Sequence, residues 1–148
     1  MKRVGIFLLL LAANLSPTRA ASPETTQDTR ITIAVSNKER NQTLFEMRAF
    51  LEGFFSIQAA LARHDNPAIA SMARYIQTTF QDTANSLTSV HPEGYDQMSG
   101  FLIDSFGAVA RAAEKNAQPQ VVHERLIDVV AGCAGCHQMF RFEVHDKR

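Results

Sequence analysis

Cys133-Ala134-Gly135-Cys136-His137-Gln138-Met139-Phe140-Arg141, close to the C-terminus, is the stretch from which the rest of the chain is read. Two thiols three positions apart, with an imidazole directly behind them, form the spacing that attaches a c-type haem. Each cysteine adds across one vinyl group of the porphyrin, and the adjacent histidine becomes the proximal axial ligand of the iron. Cys133 and Cys136 are the only cysteines present. A structural zinc site needs a fourth ligand, and there is no second cysteine pair to supply it. A thioredoxin-like pair belongs beside a β-α-β pattern, which the sequence lacks, and a disulfide across two residues within a helix is strained. The motif therefore predicts one covalently attached haem c, anchored by Cys133 and Cys136 with His137 on the iron.

The other end of the chain agrees. Lys2 and Arg3 precede an apolar run over residues 4–13, and Thr18-Arg19-Ala20 offers a small-residue cleavage site. Residues 1–20 thus read as a signal peptide, too short in its apolar part for a permanent membrane anchor. Export predicts a periplasmic protein, with its cysteines in the compartment where haem is attached. The sequence carries 15 basic and 15 acidic side chains; losing Lys2, Arg3 and Arg19 with the signal leaves 12 against 15. That balance is not a nucleic-acid binder's.

Working outward from the motif, apolar residues recur at three- and four-residue steps through four segments. Residues 21–35 come first, a polar N-terminal arm or linker with Pro23 and the short β-prone run Ile31-Thr32-Ile33-Ala34-Val35. Ser36 and Glu39 make a capping-box pattern that opens a helix to about residue 64, with Leu44, Met47, Leu51, Phe54, Ile57 and Leu61 in one stripe. Asn66-Pro67 restarts the chain as N-cap and first helical residue of a second helix that fades near residue 86. Residues 86–94, with Pro92 and Gly94, read as loop. A third helix covers about 95–116, with Met98, Phe101, Leu102 and Val109 inward. Gln118-Pro119 opens the fourth, expected to reach residue 144 with Val122, Leu126, Val129, Val130, Cys133 and Phe140 inward. Short connections between four amphipathic helices predict an all-α, antiparallel up-down-up-down four-helix bundle over residues 36–148.

With its haem motif on the last of four helices and Phe140-Arg141 following two residues later, the chain resembles the class II cytochromes c, the cytochrome c′ group and its low-spin relatives. Met47-Arg48 followed by Leu51, Ile57, Ala60 and Leu61 is similar to a subgroup in which a Met-Arg pair opens the long first helix. The resemblance covers residues 36–148. It implies the cytochrome c′-like bundle, electron transfer with redox partner proteins, and a homodimer formed through the first two helices.

Function turns on the position opposite His137. A methionine thioether there gives a six-coordinate iron suited to electron transfer, and an apolar residue leaves a site open to nitric oxide or carbon monoxide. In an antiparallel bundle the starts of the first and third helices share an end with the finish of the fourth, which admits Met47 and Met98. Met72 falls toward the other end. Leu44 lies three residues before Met47 on the same face, so periodicity leaves Met47, Met98 and an open Leu44-lined site all standing. The Met-Arg resemblance favours Met47. Arg40 with Leu44 matches a second family pattern, an arginine four residues before the distal position. Arg141 is positioned for a haem propionate. His64, His91, His123 and His145 read as ordinary surface, loop or tail residues. No nucleophile–base pair, phosphate loop or carboxylate pair calls for an enzyme.

Overall fold

The computed structural model describes residues 27–84 and 90–145, so the expected signal peptide at 1–20 lies outside the described residues. In chain order the elements are β1 (Ile31–Val35), α1 (Asn37–Ala62), α2 (Asn66–Ala84), α3 (Tyr95–Glu114), α4 (Pro119–Met139) and β2 (Phe140–Val144). Four helices make most of the protein, as the apolar periodicity predicts.

Their ends follow from local chemistry. Ser36 caps α1 through the expected box: its Oγ accepts from Glu39 N at 3.2 Å, and Glu39 Oε2 accepts from Ser36 N at 2.9 Å. The two orphan amides are thereby satisfied reciprocally. α1 stops at Ala62, and His64 (φ 56°) turns the chain through the left-handed region. Asp65, rather than the expected Asn66, caps α2, its Oδ1 accepting from Ala68 N at 3.1 Å. The carboxylate one residue earlier outcompetes the amide because it reaches the third amide of the turn. Gly94 (φ 84°) precedes α3 in a backbone conformation that favours glycine. Gln118 and Pro119 open α4 as predicted.

α1 packs on α2, α2 on α3, and α3 on α4. One contiguous core runs through all four helices: Ile57 and Ala60 from α1, Ile69, Ala73, Ile76 and Phe80 from α2, Phe106, Val109 and Ala113 from α3, and Val122, Leu126 and Val129 from α4. Gly53 lets α1 and α2 approach closely, since a Cβ there would run into Ile76 of α2. Across α2 and α3, Arg74 holds Glu114 by two 2.8 Å bonds.

Three further expectations are corrected. The fourth helix does not reach residue 144; it ends at Met139, and Phe140–Val144 is a strand. Phe-Arg-Phe-Glu-Val alternates apolar and polar, a period of two that fits a pleated strand. The β-prone run Ile31–Val35 is not a free arm but pairs with it in parallel, Ile31 opposite Phe140 and Val35 opposite Val144. Beneath this pair Ile33, Val35 and Phe140 bury against Tyr95 and Met98, a second small core that explains why so short a sheet persists. Lastly, Leu44, Leu51, Phe101 and Val130, all expected inward, are exposed.

Candidate haem-attachment site

The motif occupies the last two turns of α4, and the regularity of the helix arranges it. At roughly 100° per residue, Cys133, Cys136 and His137 fall within about a quarter-turn arc of one another. Two thiols and an imidazole thus project from one strip of one helix, the donor set that two thioether bonds and an axial nitrogen require. Cys133 is half-buried against the main core, Cys136 half-buried, and His137 exposed. Both cysteines are free. Burial pushes both thiols up, and for Cys136 the neighbouring Cys133 adds to it. They are therefore neutral thiols at pH 7, unlike the lowered-pKa pair of a disulfide oxidoreductase. Among the described residues no three His, Cys, Asp or Glu side chains gather as a metal cluster.

The flanks of α4 differ. Gly132 and Gly135 face α3: a Cβ on Gly132 would sit 3.3 Å from Leu102 Cδ1, and one on Gly135 2.8 Å from Met98 Cε. His137, two residues past Gly135, lies nearly opposite it around the helix, together with Val130. α1 has a matching division. Gly53 faces α2, whereas Met47, Leu51 and Phe54 lie on the other flank. Among the described residues α1 and α4 make no substantial direct contact, although each packs on its chain neighbour. Leu44 and Leu51 on α1 and Val130 on α4 are exposed, whereas Met47 and Phe54 pack on the main core.

Tyr95, at the start of α3, packs in the second core. Its ring is edge-on to Phe140 at 5.5 Å. Its hydroxyl is pushed up to about 12, by burial first and then by Cys136, Glu46 and Asp96. Cys136 precedes His137 and Glu46 precedes Met47, so the two candidate axial residues belong to one end of the protein. Glu46 is buried and accepts from Gln42 Nε2 at 2.7 Å. Neither Glu46 nor Tyr95 stands out in the sequence.

The remaining predicted residues separate as follows. Met47 is half-buried against the main core, and Leu44 is exposed. Met98 packs in the second core beside Gly135, on the far side of α4 from His137. It also lines an open cavity of about 380 Å³ with Thr29, Arg30, Gln138 and Met139. Arg141 sits on β2, with Nη1 3.2 Å from Glu143 Oε2. Its Nε is buried without a hydrogen-bond partner among the described residues, Asp28 being 3.9 Å away. A buried donor of that kind is costly and fits an anionic acceptor such as a propionate. No helix among the described residues is long and apolar enough to cross a membrane. No protein-family model matches the chain, and no curated protein or solved structure matches it either.

Proposed function

We propose that this chain is an exported, periplasmic mono-haem c-type cytochrome of the class II kind, working in electron transfer between redox partner proteins. Contact order supports the antiparallel up-down-up-down reading of its bundle. Phe50 stacks on Phe80 while Gly53, further along α1, meets Ile76 and Met72, further back along α2. Gly132 meets Leu102 while Gly135 meets Met98 in the same reversed sense. The observation that carries the proposal is the strip of α4 from which Cys133, Cys136 and His137 project together, the donor set that covalent haem attachment requires.

The residues divide the work. Cys133 and Cys136 would hold the group covalently, and His137 would ligate its iron. Met47 would offer a thioether to the same iron, while Phe54 and Leu51 would exclude water. Arg141, whose Nε has no hydrogen-bond partner among the described residues, would compensate propionate charge. The haem, when bound, supplies the one-electron ferrous/ferric couple. We read the protein as a carrier rather than an enzyme.

One observation favours a second reading. Met47 already packs on the core, and a methionine in an apolar stripe fills space well. If it stays there, Leu44 lines an open distal position and the protein binds nitric oxide or carbon monoxide. The optical spectrum of the reduced, haem-loaded protein decides. The carrier reading expects a low-spin band unmoved by carbon monoxide in wild type, and a Met47→Ala variant whose band shifts at once on adding the gas. Wild type that shifts as readily as the variant would establish the gas-binding reading instead.

A further inference from the structure

Helix α4 ends abruptly. Phe140 N–H donates to the Cys136 carbonyl, and Phe140 then turns extended (φ −120°, ψ 151°), so the helical ladder stops at that bond. The carbonyls of the last turn are left to find other partners. That of His137 is met by Arg30, whose Nη1 donates to it at 3.2 Å across 107 residues of sequence.

The delivery of Arg30 is specified at several points. It directly precedes β1, and the register that sets Ile31 opposite Phe140 brings it alongside the final turn of α4. Asp28 grips the guanidinium twice, accepting from Nε at 2.9 Å and from Nη2 at 2.7 Å. That grip fixes the plane of the fork and leaves Nη1 for the carbonyl. Arg141 Nε stands 3.9 Å from the same Asp28 carboxylate. Two arginines thus share one acid at the C-terminal end of the helix, where the helix dipole favours positive charge.

We propose that Arg30 is a positioning residue for the haem ligand His137, acting through the peptide oxygen of that residue. The proposal rests on the haem reading above. Arg30 fixes the backbone from which the imidazole projects, and it keeps a positive charge beside the proximal side. A cation there disfavours the ferric state, which carries one more positive charge than the ferrous. Its removal lowers the midpoint potential, and restoring the charge restores part of it.

The test uses wild type, Arg30→Gln and Arg30→Lys. Spectroelectrochemical titration of the haem-loaded proteins is expected to place Arg30→Gln below wild type and Arg30→Lys between them. In the haem-free full-length chain, amide hydrogen exchange over residues 137–140 is expected to be roughly threefold faster in Arg30→Gln, the scale of an exposed charged contact. Unchanged exchange in that variant, or a midpoint equal to that of wild type, would overturn the proposal. Wild type that takes up no haem ends the functional reading by itself, and the exchange comparison then still decides whether Arg30 holds the His137 peptide.

Discussion

The two ends of the helical body are built differently. At one end Ile57, Ile69, Val109 and Val122 are completely buried, and small residues such as Ala60, Ala73 and Ala113 let the helices close on one another. At the other end, around the Cys-Ala-Gly-Cys-His motif, Leu44, Leu51, Phe101, Val130 and Met139 are exposed and the two cysteines are only half-buried. A single exposed leucine means little, but Leu44, Leu51 and Val130 together leave apolar surface on α1 and α4. The first end also keeps Val121 exposed, yet its helices meet through completely buried side chains. The contrast teaches that the motif end is the less completely packed of the two, with its two thiols half-buried and its imidazole exposed.

The comparison is sharpest in substitutions. Phe106, 1% exposed and stacked near Phe50, belongs to the closed body. Phe106→Ala is expected to cost about 3–5 kcal/mol in urea unfolding of the haem-free chain. A loss below 1 kcal/mol would show that the interior is looser than described.

Tyr95 probes the border between the ends. Its hydroxyl ionises near pH 12 in the folded state against an ordinary 10, chiefly because it is buried. The folded protein therefore holds this proton more tightly than the unfolded chain. The stability it contributes is complete below pH 10 and drains away as pH rises toward 12. Unfolding midpoints measured across that window should fall in wild type and fall less in Tyr95→Phe. Parallel curves would place the tyrosine in water.

Leu51 gives the smallest effect and the most diagnostic one. It is 72% exposed, so Leu51→Ala should change haem-free stability by no more than about 0.5 kcal/mol. Under the haem reading the same substitution in haem-loaded protein should cost more, because the group would then cover this flank of α1. Equal losses in both forms would mean that nothing docks against Leu51.

Much of this was legible in the residues. The apolar steps at Ile57, Ile69, Val109, Val122 and Leu126 announce four helices, and Ser36 with Glu39 announces the cap. The strand Phe140–Val144 was not legible, because Phe140 continues the spacing of Cys133 and Cys136 and so reads as one more helical turn. Its partner Ile31–Val35 lies over a hundred residues away, and a parallel pairing at that separation leaves no local trace. The exposure of Leu44, Leu51, Phe101 and Val130 was hidden for a different reason. Periodicity marks an apolar face but not what covers it. At the site, the shared arc of Cys133, Cys136 and His137 follows from spacing alone. Arg30 on the His137 carbonyl and Tyr95 near both Glu46 and Cys136 depend on the tertiary arrangement.

The most direct test of the central claim is to produce the full-length chain with haem-attachment machinery, denature it in acidified organic solvent and ask where the haem goes. The account predicts that the haem absorbance stays with the wild-type polypeptide and is extracted from a Cys133→Ala/Cys136→Ala variant. Wild-type polypeptide that comes out colourless would contradict it.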